Sequence, residues 1–213
     1  MAAPRRAHAR LYSAVLTLSA ARPVEEISAT EIAHTAGVHR STFYEHAASP
    51  VELLRVALRI QLDRIREEHL IGGPDPIAST TRAVLAHIEE HSAIYERALL
   101  GSGGGDLRSM LSGHFHDSVV QLERSGAVRA PFDAPGAPAR FLEESTARFI
   151  ANGSIGILEA WLQEPAPRDP EHFLAALRGL AAPLRGTSPA RGPGAADAAP
   201  AAPAPPPLRR LAE

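Results

Sequence analysis

Between Ser28 and Glu52 the chain carries two helix-start signatures, and the distance between them leaves room only for short helices. Ser28-Ala-Thr-Glu31 and Ser49-Pro-Val-Glu52 both fit the S-x-x-E capping box. In that box the hydroxyl accepts from a free first-turn N–H, and the carboxylate reaches back to another. Gly37 stands between the two starts, where a helix end needs a residue at positive φ. The first signature therefore opens a helix with Ile32, Ala33 and Ala36 facing inward and Ile27 as a staple. Val38 plugs the gap after the turn, and a second short helix is expected from His39 to His46. Pro50 takes the first position of a longer helix, where its missing N–H costs nothing. Ahead of all this, Leu11, Val15, Leu16 and Leu18 mark an amphipathic helix that stops near Arg22-Pro23.

Two short helices about a glycine turn, behind an amphipathic helix, read as a helix-turn-helix. The N-terminal residues of its second helix reach base edges in the major groove of DNA. Those residues are His39, Arg40 and Ser41. Arg40 is the candidate for direct readout, since its planar fork matches the O6/N7 edge of guanine; the rival is a solvated or phosphate-bound arginine. His39 and Ser41 suit either base or phosphate, and Thr42 base or backbone. Tyr44 and His46 are assigned to phosphate, with core packing as the alternative for Tyr44. Phe43 is assigned to the core. Ser28 and Thr30 open the preceding helix, where the dipole favours a phosphate.

The remainder is helical as well. Leu53, Leu54, Val56, Ala57, Leu58, Ile60, Leu62 and Ile65 continue the helix from Ser49 to Ile71, and Gly72-Gly73-Pro74 closes it. Asp75-Pro76 starts a helix carrying Ile77, Val84, Leu85, Ile88, Tyr95 and Leu99, read as one piece. Leu107, Leu111, Phe115, Val119 and Leu122 give another, Phe141 to Leu162 a long one, and Asp169-Pro170 opens the last. Strand-like alternation is absent. The expected fold is all-α: a three-helix helix-turn-helix domain over 1–48, then a larger helical domain over 49–185 whose first helix, 49–71, connects the two. Residues 186–213 are an Ala/Pro-rich tail, expected to be disordered because it has too little apolar surface to offset its ordering entropy.

Composition narrows the chemistry. The 213 residues carry a net charge of −2, so nucleic-acid binding has to come from a local patch and helix ends. Every basic side chain other than histidine is arginine, a bias that follows the overall Ala/Pro/Arg richness. The absence of cysteine removes disulfides, thiolate metal sites and cysteine nucleophiles. Neither a signal-peptide core nor an apolar run near the ~20 residues of a membrane span is visible. A cytoplasmic protein with no membrane partner is expected. His87 and His91 are spaced i, i+4 for a metal but lack further ligands, while His114 and His116 point to different faces. The expected arrangement has His91 hydrogen-bonded in the apolar stripe and His87 solvated. Ser118, His114 and Asp117 can be written as a triad, but no nucleophile elbow supports one. Neither an enzyme, nor a metal site, nor a cofactor is expected.

Taken together, the amphipathic first helix, S-A-T-E-I-A-H-T-A-G-V, H-R-S-T-F-Y-E-H and S-P-V-E-L-L resemble the TetR/AcrR family of bacterial transcriptional regulators. Ile32, Ala33, Ala36, Gly37, Val38, Thr42, Tyr44, His46, Leu53 and Leu54 match its pattern over the first third of the chain. Two positions depart: Ala47 replaces an aromatic residue, and Pro50 replaces a phosphate-touching lysine. That contact would fall to the bare helix N-terminus. The resemblance implies a repressor that binds a pseudo-palindromic double-stranded DNA operator as a homodimer and responds to a small-molecule effector. It also implies an effector pocket, for which helix faces offer His91, Tyr95, Met110, Leu111, His114, Phe115, Phe149, Asn152 and Trp161, with ordinary core as the rival. Gly153, Gly156 and Ala160 form a small-residue stripe. With Phe173, Leu177, Leu180 and Leu184 it outlines a four-helix dimer interface, packing within the chain being the alternative. The rival function is a helical ligand-binding or protein-interaction module that has lost DNA binding.

Overall fold

The computed structural model describes residues 3–70, 74–101, 104–126 and 136–181, and all regular structure among them is helical. The first unit comprises α1 (Ala3–Ala21), a 3-10 turn (Val24–Glu26), α2 (Ala29–Ala36) and α3 (Arg40–Tyr44). The second comprises α4 (Pro50–His69), α5 (Pro76–Glu90), α6 (Ser92–Leu100), α7 (Gly105–Arg124), α8 (Ala139–Leu162) and α9 (Pro170–Ala181). The Ala/Pro-rich tail lies outside the described residues.

The helix starts follow the sequence with one consistent change. Ser28 Oγ accepts from Glu31 N at 3.1 Å and Ser49 Oγ from Glu52 N at 3.2 Å. The return half of each box is redirected. Glu52 Oε2 accepts from Ala48 N at 2.7 Å, one residue earlier than the box predicts. Glu31 turns to Arg22 and ties the end of α1 to the start of α2. Asp75 Oδ1 caps α5 through Ala78 N at 3.0 Å. Gly37 ends α2 at φ 58°, and Arg10 of α1 donates to its carbonyl at 2.9 Å. A Cβ on Gly37 would displace that guanidinium, and the left-handed backbone itself favours glycine.

One hydrophobic core runs through both units. Leu11, Ile32, Phe43, Leu53, Leu58, Leu62, Leu85, Ile88, Tyr95, Leu111 and Leu158 are fully buried in it. α4 forms its spine, packing on α1, α5 and α7. α7 and α8 make the most extensive helix pair, and α9 closes against α8 and α5. The Pro-rich break before α9 is pinned by Arg168. Its side chain is 6% exposed and donates to Glu89 at 2.7 Å, to Glu96 at 2.6 Å and to the Leu162 carbonyl at 2.9 Å.

The expected single helix over Ile77–Leu99 is two. His91, at φ −109° and ψ 25°, ends α5 and starts α6. The kink carries Tyr95 to within 3.0 Å of His87, which a continuous helix would hold two turns away. The recognition-type helix is also shorter than His39–His46, with His39 as its cap residue.

Candidate nucleic-acid interface

α3 is anchored from below and polar above. Phe43 is completely buried in the core, and its ring meets that of Tyr44 edge-to-face at 5.3 Å. Helical geometry then turns Arg40, Ser41 and Tyr44 outward, and all three are exposed, Tyr44 by 51%. Core packing is thereby removed as the reading of Tyr44. His39 caps the helix from an exposed position, and Thr42 is half-buried beside it. Ser28 and Thr30, at the start of α2, are also exposed. Ser28, Thr30, His39, Arg40 and Ser41 thus lie at the solvent-facing starts of two adjacent short helices, with the exposed Tyr44 at the end of α3 and Thr42 half-buried.

His46 has a different environment. Its Nδ1 lies 2.6 Å from Nε2 of His8 on α1, with ring centroids 3.7 Å apart, and His8 stacks in turn on Tyr12 at 5.7 Å. Burial, and then the neighbouring His8, hold the His46 pKa below its usual value. His46 thus links the end of the helix-turn-helix to α1. The first turns of α1 also reach the helix-turn-helix, through His8 on His46 and Arg10 on the Gly37 carbonyl, which the sequence reading did not include. The signal was the R-R-A-H-A-R run, which lacks the apolar residues by which the helix start was judged. The first 48 residues are only mildly basic, with five arginines against four glutamates. Ala47 is buried, and Pro50 occupies the first turn of α4 as its φ prefers.

The expected effector-pocket residues do not line one cavity. Tyr95, Met110, Leu111, His114 and Trp161 are buried in close packing, His91 and Phe115 are half-buried, and Phe149 and Asn152 face outward. Phe149 is 52% exposed, while Asn152 accepts from Ser112 at 3.1 Å and donates to the Arg148 carbonyl at 2.9 Å. Both fall on the outer side of α8 because the inner side is taken by Ala147, Ala151, Ile155 and Leu158. Trp161 donates its indole N–H to the Asp169 carbonyl at 2.8 Å. An open, polar cleft of about 540 Å³ lies between α4 and α7, lined by Glu52, Arg55, Arg59, Asp106, Ser109 and, of the expected pocket residues, Met110.

The two adjacent histidines of α5 exchange the roles expected of them. His87 is the buried one, 7% exposed, with Nε2 3.0 Å from the Tyr95 hydroxyl, and His91 is half-buried with its ring 4.8 Å away. The α5–α6 kink explains the exchange, because it brings Tyr95 over His87. Burial, reinforced by His91 and His114, pushes the His87 pKa down to about 4, and burial raises that of the Tyr95 phenol. His114 Nδ1 donates to Asp63 on α4 at 3.1 Å, and burial outweighs that bond in lowering its pKa. His116 faces Glu144 on α8 at 3.2 Å, so the two histidines do diverge. Ser118 donates to the His114 carbonyl and Asp117 pairs with Arg59, so these groups form no triad. Among the described residues no three metal-ligating side chains converge.

The small-residue stripe faces away from the core: Gly156 and Ala160 are exposed and Gly153 is half-exposed. A Cβ added at either glycine meets nothing within 4 Å, so packing within the chain does not explain the stripe. Phe173, expected at the same surface, is instead 5% exposed inside the chain's own core, and Leu177 packs against that core. α9 turns Phe173 and Leu174 inward and leaves its opposite side, His172, Ala175, Ala176 and Gly179, exposed. Leu184 and the side chain of Leu180 lie outside the described residues. No helix among the described residues is long and apolar enough to cross a membrane.

No family model and no curated protein matches the sequence. Solved structures do match in shape. Thermus thermophilus FadR, a TetR-family transcriptional repressor solved with lauroyl-CoA, is 22% identical with a TM-score of 0.58, over 88% of this chain and 100% of that one. The fatty acid degradation regulator FadR from Bacillus halodurans is 13% identical with a TM-score of 0.53, over 86% and 97%. A Rhodococcus sp. protein assigned to the TetR family is 18% identical with a TM-score of 0.53, over 85% and 100%. The chain has the fold of TetR-family transcriptional regulators.

Proposed function

We propose that this chain is a DNA-binding transcriptional repressor that acts as a homodimer on a pseudo-palindromic operator and is released by a small-molecule effector. The observation that carries the reading is α3: a short helix seated on a buried Phe43, with Arg40, Ser41 and Tyr44 turned to solvent. Its place within a fold shared with a solved transcriptional repressor and a solved fatty acid degradation regulator supports the same reading. In such a dimer each α3 occupies one of two successive major grooves, and the spacing of the two heads sets the operator spacing. Arg40 reads a base edge, while Ser28, Thr30, His39, Ser41 and Thr42 are assigned to base or phosphate contacts around it, with Tyr44 beside Arg40 on the same face. The outward Gly153, Gly156 and Ala160 face of α8 supports dimerisation through that helix.

The effector is assigned to the second domain. A neighbour of this fold was solved with lauroyl-CoA, which supports a ligand-responsive interior here. That interior holds polar groups in apolar surroundings, His87, Tyr95 and His114, and a ligand needs such groups to orient it. Because these side chains are closely packed, the ligand must favour a more open arrangement, and it shifts the heads only by binding that arrangement better. α4 is the lever, since it packs both on α1 of the first unit and on α5 and α7 of the second.

A mobility-shift titration of the full chain with DNA from upstream of its own gene, repeated at rising salt, tests the proposal. A salt-sensitive, sequence-selective complex is expected. Equal affinity for that DNA and a scrambled duplex, or no complex at all, would leave the ligand-binding or interaction module as the better reading.

A further inference from the structure

The two outward side chains at the ends of α3 touch each other. Arg40 and Tyr44 are one helical step apart, i and i+4. Side chains on a helix lean toward its N-terminus, so the phenol of Tyr44 reaches back along the helix toward Arg40. Arg40 Nη2 donates to the Tyr44 hydroxyl at 3.1 Å, and the guanidinium carbon lies 5.4 Å from the ring centroid. The tyrosine ring is itself braced edge-to-face by Phe43, which does not move independently of the core because it is completely buried. A line of support therefore runs from the core through Phe43 and Tyr44 to the guanidinium.

We infer that Tyr44 is a positioning residue that holds the Arg40 guanidinium ready to read one base pair, rather than a phosphate ligand in its own right. The inference rests on the DNA-binding reading above. An unheld arginine on an exposed helix loses rotamer freedom when it docks, and a bidentate contact needs its plane oriented. Tyr44 supplies part of that ordering before DNA arrives. It engages one donor of a five-donor fork, so enough N–H groups remain for the O6 and N7 acceptors of a guanine. A phosphate contact from Tyr44 would instead add affinity for every sequence alike.

The experiment is selection of binding sites from a random duplex pool by the full chain, followed by affinity measurements on each single-base variant of the selected site. If the wild-type chain selects nothing, the DNA-binding reading fails and takes this inference with it. If it selects a site, Arg40→Ala marks the base pair whose preference depends on the guanidinium. Tyr44→Phe, which keeps the ring and loses the hydrogen bond, is expected to lower preference at that same base pair by about threefold. Tyr44→Leu, which also removes the ring, is expected to lower it further. Adding Tyr44→Phe to Arg40→Ala should cost nothing more at that position. The far-ultraviolet signal and thermal midpoint of both tyrosine variants should stay near wild type, since the side chain is half exposed. Uniform weakening across all site variants, or an unchanged preference at the Arg40 base pair, would overturn the inference while leaving the repressor reading intact.

Discussion

Single side chains in this protein are set by which face of a kinked or capped helix they land on. Phe43 and Gly37 were legible because helical period and turn chemistry determine them locally. His87 and His91 were not, since which of two neighbours on one helix goes inside depends on the kink four residues before Tyr95. Burial then depresses the His87 pKa to about 4, and those of His91 and His114 also fall below the usual histidine value. In the unfolded chain His87 protonates near 6.5, so between pH 6.5 and 4 the unfolded state binds more protons than the folded one. Stability from this group is complete above pH 6.5 and is lost as the pH falls toward 4, amounting to about 3 kcal/mol. Thermal midpoints should drop steadily over that window. In His87→Gln, which retains an acceptor for the Tyr95 hydroxyl, the drop should shrink by roughly 6–12 °C. Parallel pH curves for the variant and the wild type would show that His87 is not the titrating group.

At the scale of elements, starts were easier to read than ends or breaks. Ser28, Ser49 and Asp75 cap where their spacing says they should, because an N-cap is satisfied within four residues of itself. The redirected glutamates and the His91 break were not legible, because Glu31 pairs with Arg22 beyond the end of α1, Glu52 reaches past its cap to Ala48 N, and the His87–Tyr95 contact spans the break. Ser49→Ala, at the junction of the two units, should lower stability by about 1 kcal/mol, read as a shifted denaturant midpoint with unchanged slope. A cross-unit cap lies at the other end of the first unit. Arg97 on α6 donates to the Ser19 carbonyl at 2.7 Å and the Ala20 carbonyl at 3.4 Å, at the end of α1, which has no basic residue in its own last turn. This guanidinium satisfies orphan carbonyls and opposes the helix dipole. Arg97→Ala should weaken α1 by about 1–2 kcal/mol without unfolding the second domain. Hydrogen exchange would show faster exchange in the last turn of α1 and little change in α7 and α8. Equal acceleration throughout would mean that the contact supports global stability and not the junction.

For the whole molecule, one surface remains without an account inside the chain. The all-α architecture and the order of its helices were legible from period and punctuation, but which face of α8 turns outward was not. Both faces carry small and apolar residues, and only packing against α7 decides between them. Gly153 and Gly156 now lie where an added side chain meets nothing, in a helix where glycine costs up to ~1 kcal/mol relative to alanine. A single chain gains nothing from that cost. A close-approaching helix from a second copy would, because only small residues let two backbones come near. The two explanations part on substitution. If α8 faces solvent, Gly153→Ala and Gly156→Ala stabilise by up to ~1 kcal/mol each, and Gly156→Glu is tolerated in every respect. If α8 faces a partner, Gly156→Glu keeps the helical fold but buries an unpaired charge in the interface, which is strongly unfavourable. Light scattering should then find wild type as a dimer and Gly156→Glu as a monomer at the same micromolar concentration, with circular dichroism unchanged. The monomer should also lose most of its DNA affinity, since one head alone forfeits the second half-site. A Gly156→Glu chain that remains dimeric would remove this face of α8 from the interface and leave the two glycines without a structural reason.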